Sequence, residues 1–87
     1  MNIGDIVVST AGKDAGKYFV VVGIADGQYR FVCDGKLRKT ARPKKKKIRH
    51  LKYFCSDADA QTALTLNQPV SDKFIRSVLA NVKNGEE

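Results

Sequence analysis

The segment from Lys17 to Ala25 constrains the fold of this 87-residue chain more than any other segment. Its sequence, KYFVVVGIA, is rich in β-branched and aromatic residues, which favour a strand. Because it is apolar at nearly every position, we expect this strand to contribute to both faces of a closed or strongly curved sheet. Gly23 within it predicts a bend or a bulge. The apolar stretch from Tyr18 to Ala25 is far too short to span a bilayer.

Shorter segments with strand character lie on both sides of this run. Asp26-Gly27 and Asp34-Gly35 predict type I′ hairpin turns, because this turn requires positive φ at both central residues. Thr10–Gly16 predicts a loop, and Pro43 with the run Lys44–Lys47 predicts a break. The five predicted strands are Asp5–Ser9, Lys17–Ala25, Gln28–Cys33, Lys36–Thr40 and Ile48–Lys52. Five short strands joined by tight turns are typical of a small SH3-like barrel.

The pattern changes from strands to helices after residue 55. Ser56-Asp57 predicts the start of a short helix, and Ser71 is a favourable N-cap for a second helix over Asp72–Lys83. Val70 can pack against the first turns of this second helix, and Asn84-Gly85 can end it. Its apolar residues recur on one face, at Phe74, Ile75, Val78, Leu79 and Val82. We predict one mainly β domain, with a five-stranded barrel over residues 1–55 and a helical extension over residues 56–87 packed on it.

The net charge of +7 arises from one segment. Lys36–Lys52 contains ten of the sixteen basic residues and no acidic residue, which leaves six basic and nine acidic residues elsewhere. Such a localised charge indicates binding to phosphates, which releases condensed counterions and dominates non-specific affinity for nucleic acids. A solvated segment or a localisation signal is the alternative interpretation. We expect the lysines of Lys44–Lys47 to be exposed and to contribute little to the core.

A second basic element is the loop from Gly12 to Lys17. Its glycines can bring backbone N–H groups close to an RNA backbone, or they can simply supply the positive φ of a hairpin loop. It is not a Walker A motif, because three residues separate the glycines and Tyr18 follows the lysine. Arginines can bind phosphates bidentately or stack on bases, whereas lysines act as point charges. The candidate RNA-binding residues are Lys13, Lys17, Lys36, Arg38, Lys39, Arg42, Lys44, Lys45, Lys46, Lys47, Arg49, His50 and Lys52.

Aromatic side chains offer a further candidate contact. Tyr18, Phe19, Tyr29 and Phe31 can stack on unpaired bases, although core packing is the commoner role of such residues in a short chain. Tyr53 and Phe54 follow the basic segment directly and are better placed to stack.

The segment Gly4–Gly35, GDIVVSTAGKDAGKYFVVVGIADGQYRFVCDG, resembles the KOW motif, in which a strand, a glycine-bearing basic loop and a second strand follow one another. The similarity continues through Gly35–Lys39, Arg42–Lys46 and His50-Leu51. There it looks like the KOW ribosomal proteins of the archaeal and eukaryotic large subunit, the L-fourteen-e group, and their short bacterial relatives. The resemblance implies an SH3-like barrel that binds structured RNA, chiefly ribosomal RNA, with the ribosome and translation as its setting.

The remaining features of the sequence limit the classes of function that the chain can have. Cys33 and Cys55 have no CxxC spacing, so we expect free thiols in a reducing cytoplasm, and with His50 they match no zinc module. We find no catalytic motif and no secretory signal, and we expect no enzymatic activity, cofactor, membrane partner or small-molecule substrate. The alternative function is a protein-interaction module of the transcription or translation machinery, because small barrels also bind peptides and an exposed apolar helix can dock on a partner.

Overall fold

A computed structural model describes residues 1–85, with side chains as far as Val82. Five antiparallel strands are followed by two α-helices, so the domain is mixed α and β rather than mainly β. The strands are β1 (Asp5–Ser9), β2 (Tyr18–Ile24), β3 (Tyr29–Cys33), β4 (Lys44–Lys47) and β5 (Leu51–Ser56). The helices are α1 (Ala58–Thr65) and α2 (Asp72–Gly85).

The sheet has the strand order β4-β3-β2-β1-β5 and is not closed into a barrel. Within residues 1–85, β4 pairs only with β3 and β5 pairs only with β1. The predicted fifth strand begins too early, because Ile48–His50 forms a 3₁₀ turn that separates β4 from β5. The Thr10 N–H donates to the His50 carbonyl at 2.9 Å, which holds this turn against the end of β1.

Strand β2 is buried on both faces, as its sequence predicts. Val20 packs with the helices in one apolar cluster, whereas Phe19 and Val21 belong to a second cluster on the opposite side of the sheet. The pairing of β2 with β3 shifts register between Val21 and Gly23, which confirms the predicted irregularity at the glycine. An irregularity of this kind bends the strand in which it lies.

The two helices begin where their capping residues predict. The Asp57 carboxylate accepts the Ala60 N–H at 2.8 Å, and Ser71 Oγ accepts the Phe74 N–H at 3.0 Å. Helix α2 extends beyond the predicted end at Lys83 and includes Asn84-Gly85. Its buried residues pack against the sheet: Ile75, Val78 and Leu79. No helix in the described part of the chain is long and apolar enough to cross a membrane.

The prediction of a strand over Lys36–Thr40 is wrong. The Asp34 carboxylate accepts the N–H groups of Lys36 at 2.9 Å and Arg38 at 3.0 Å, and these local bonds replace a strand ladder. Gly35 has φ +77° and lies so close to α2 that a Cβ there would be 2.5 Å from a carbonyl oxygen of the first turn. Residues 34–43 therefore form a connection that packs along the start of α2.

The fourth strand is the lysine run itself, which the sequence predicts as a break. Lys44–Lys47 pairs with β3 through the register Tyr29↔Lys47, Arg30↔Lys46, Phe31↔Lys45 and Val32↔Lys44. The predicted type I′ turns are also wrong, because Asp26, Gly27 and Asp34 lack positive φ. Asp26 Oδ1 instead accepts the N–H groups of Gln28 and Tyr29, at 2.8 and 3.0 Å, in an Asx-type turn.

Candidate nucleic-acid interface

The lysines of β4 alternate between the two sides of the sheet. Lys45 and Lys47 lie on the side of Tyr29, with their Nζ atoms 4.9 and 5.7 Å from its ring centroid. Lys46 lies on the opposite side, where its Nζ is 5.8 Å from the Phe19 ring centroid. Long aliphatic stems and cation–π contacts let lysines cover aromatic rings, and this accounts for a strand made of four lysines.

Asp14 brings together cations from three separate parts of the chain. Its carboxylate lies 3.4 Å from Lys46 Nζ, 3.7 Å from an Arg38 nitrogen and 3.8 Å from Lys17 Nζ. The sequence analysis missed this residue. The available signal was its position as the one acidic residue of the glycine loop between β1 and β2.

The Asp14 carboxyl is ionised more readily than an ordinary aspartic acid. Desolvation by burial raises its pKa, but the contact with Lys46 and the charges of Lys46, Arg38 and Lys17 more than offset this, and the pKa is lowered. One carboxylate therefore faces three cations at neutral pH, and the cluster keeps an excess of positive charge.

Lys46 corrects the expectation that the lysine run is uniformly exposed. Its side chain is 12% exposed, as is that of Asp14, and its Nζ also donates to Ser9 Oγ at 3.3 Å. Lys44 and Lys45 are exposed, and Lys47 is partly buried. Lys46 thus supports the structure beneath the exposed basic residues.

Most other predicted residues lie on the outside of the domain. Partly buried side chains are those of Arg38 and His50. Exposed side chains are those of Lys13, Lys17, Lys36, Lys39, Arg42, Arg49 and Lys52. Lys52 lies in β5, where it is paired with Val8, whereas Lys17 and Arg38 meet Lys46 of β4 at the Asp14 carboxylate.

Three backbone N–H groups of the glycine loop donate to nearby carbonyl groups of the protein. The N–H groups of Ala15, Gly16 and Lys17 donate to Gly12, Ser9 and Asp14 carbonyls, at 3.2, 2.8 and 2.9 Å respectively. Gly12 and Gly16 have φ +72° and +85°, so these glycines supply the positive φ that the loop requires. The N–H groups of Ala15, Gly16 and Lys17 are therefore engaged within the protein, and the loop also carries the exposed Lys13 and Lys17 side chains.

The aromatic residues divide between core and surface. Phe19 is fully buried, and Phe31 packs against Gly23. Tyr18 and Phe54 meet edge to face with ring centroids 5.3 Å apart, and Phe54 and its neighbour Tyr53 remain substantially exposed. Of the candidate stacking residues, those near β5 therefore present the most ring surface to solvent.

Cys33 and Cys55 are free thiols, as predicted. Burial raises the pKa of the Cys33 thiol to about 12, aided by the charges of Asp72 and Asp34. Among residues 1–85, no group of three His, Cys, Asp or Glu side chains is arranged to hold a metal ion.

No protein-family model matches this chain, and no curated protein matches its sequence.

Proposed function

We propose that this protein binds structured RNA through the cations gathered around the β4 end of the sheet. We call this set of residues the basic surface: Lys13, Lys17, Lys36, Arg38, Lys39, Arg42, Lys44, Lys45, Lys47 and Arg49. Phosphates are its ligands, and the lysines supply affinity with little dependence on base sequence. Ribosomal RNA is the proposed partner, in the cytoplasm, and the protein has no enzymatic role.

The convergence of the cations carries this proposal. Lys17 of the glycine loop is distant in sequence from Arg38 and from Lys46 of β4, which both belong to the basic segment, yet the Asp14 carboxylate lies within 4 Å of all three cations. The fold thus concentrates charge that the sequence already places in one segment. A rigid strand that presents several cations to one polyanion loses little backbone freedom on binding, and double-stranded RNA is recognised mostly by its shape and its phosphates.

The resemblance to KOW proteins supports the same function. We propose that the curved sheet is an open variant of the SH3-like arrangement of KOW domains. The inner cluster of Val7, Phe19, Val21, Val32 and Leu51 draws on four strands, as expected of a sheet that wraps around its own core. One 3₁₀ turn joins the two end strands, β4 and β5.

The protein-interaction alternative rests on two grounds, peptide binding by small barrels and docking of an exposed apolar helix. The apolar residues Ile75, Val78 and Leu79 of α2 pack in the main core, so this helix does not supply the second ground. No other observation favours that function over RNA binding.

The test is a triple variant, Lys44→Ala with Lys45→Ala and Lys47→Ala, which leaves the structural Lys46 intact. The matched control is Ala58→Glu with Thr62→Glu and Gln68→Glu, which lowers the net charge equally at exposed positions near α1. Each phosphate contact with a single strand contributes about 0.7 to the logarithmic salt slope, so losing three should flatten it by about 2. Equal affinities and slopes for the folded triple variant and the control would contradict the proposal.

A further inference from the structure

A groove of about 490 Å³ lies between the glycine loop, the connection after β3, and α2. Gly16, Lys17 and Tyr18 form its first wall, and Asp34, Lys36 and Leu37 form the second. The third wall comes from α2, through Arg76, Leu79 and Ala80. We propose that this groove binds one unpaired nucleotide of an RNA strand whose neighbouring phosphates lie on the basic surface. This inference rests on the proposed RNA-binding function and extends it to α2.

Three cations and one acid line the groove. Lys17 and Lys36 are exposed, and Arg76 Nη1 donates to the Gly35 carbonyl at 2.7 Å, which anchors the guanidinium beside the second wall. That bond uses one of the five donors of the arginine. The Asp34 carboxylate is engaged by the backbone N–H groups of Lys36 and Arg38. The groove therefore keeps a positive excess suited to one phosphate.

Apolar groups lie beside these cations. Leu37 is 75% exposed at the rim, and Tyr18 and Leu79 line the interior. The Tyr18 ring also contacts Phe54, so aromatic surface continues from the groove toward β5. A phosphate alone leaves this apolar part uncovered, whereas a base stacked on it buries apolar area and leaves the phosphate to the cations.

Size and position favour a nucleotide of RNA over other anions. The volume falls within the range of roughly 300–1,000 Å³ found for small-ligand sites, which exceeds what a phosphate fills. Lys17 and Lys36 belong to both the groove and the basic surface, so a strand bound to that surface passes the groove. A paired base cannot enter, whereas an unpaired one can leave the strand and stack.

The experiment compares two RNA probes: a blunt-ended hairpin and the same hairpin with a single-stranded extension. For Arg76→Gln we expect about a 5- to 20-fold loss of affinity for the extended hairpin, because the variant loses the charge-assisted contact to the phosphate of the bound nucleotide. Affinity for the blunt hairpin should stay within about twofold. Leu37→Ala should also weaken binding of the extended probe. Because the Leu37 side chain is exposed, misfolding of the variant would not explain this loss. Lys73→Gln, on an exposed position of α2 outside the groove lining, is the control and should change neither affinity.

The outcomes separate this inference from the proposed function. If Arg76→Gln and Leu37→Ala bind both probes as wild type does, the groove inference is overturned while RNA binding stands. If wild type binds neither probe, the proposed function fails. Binding of an acidic peptide is measured as well. If the two variants lose affinity for this peptide but bind the extended hairpin as wild type does, the groove serves a protein partner and the inference is wrong.

Discussion

Asp14→Asn removes one charge from the centre of the basic surface with almost no change in shape. The asparagine leaves Lys46, whose side chain is 12% exposed, without its ionic partner at 3.4 Å. An exposed ion pair contributes about 0–1 kcal/mol and breaking a fully buried one costs about 3–5 kcal/mol. This pair lies between these limits, so we expect the free energy of unfolding to fall by about 1–3 kcal/mol. Arg38 and Lys17 add little to this, since solvent screens their more exposed side chains.

The pH dependence of this loss identifies its cause. The folded-state pKa of Asp14 lies below the ordinary value of 3.8, so its stabilising effect is fully present above pH 3.8. It disappears as the pH falls through the folded-state pKa. The stabilities of wild type and Asp14→Asn should therefore differ near neutral pH and converge in strong acid.

Urea unfolding of the two proteins across this pH range measures the effect. Asp59→Asn, at an exposed position of α1, is the matched control and should change stability by about 0.5 kcal/mol or less. A double-mutant cycle with Lys46→Met should give a coupling energy of about 1–3 kcal/mol. Equal stability of wild type and Asp14→Asn at neutral pH would refute the argument, as would a difference that persists unchanged in strong acid.

Two further predictions concern stability and reactivity. Gly35→Ala should lower the free energy of unfolding by about 2 kcal/mol or more, because it combines a positive φ with a steric clash against α2, whereas Gly27→Ala should be nearly neutral in the same urea titration. Cys33, whose thiol pKa is about 12, should resist a thiol reagent until the domain unfolds, and the partly exposed Cys55 should react first. Equal labelling rates of the two thiols in the folded protein would contradict this.

Elements fixed by local patterns could be predicted from the sequence. The strands β1, β2 and β3 form where apolar residues predict them. Helix α2 begins after its Ser71 cap, and its periodic apolar residues face the core. β4 could not be predicted, since four lysines form a strand only when Tyr29 and Asp14 are in place to contact them. Local propensity opposes that strand, and tertiary contacts override it.

The candidate site likewise has features that could be predicted from the sequence and features that could not. The basic segment could be located from the sequence, because its basic residues are neighbours along the chain. The sequence does not distinguish Lys46 from its neighbours, since burial depends on which side of β4 a residue faces. Arg76 escaped notice because its partner, the Gly35 carbonyl, lies 41 residues earlier in the chain.

The most direct test of the RNA-binding proposal is to titrate the isotopically labelled protein with a structured ribosomal RNA fragment and follow backbone amide shifts by NMR. The account predicts that shifts concentrate in residues 12–17 and 36–49 and weaken as salt is raised. The exposed apolar residue Leu66, which follows α1, should not respond. Shifts centred on α1, with residues 36–49 unchanged, would contradict the account.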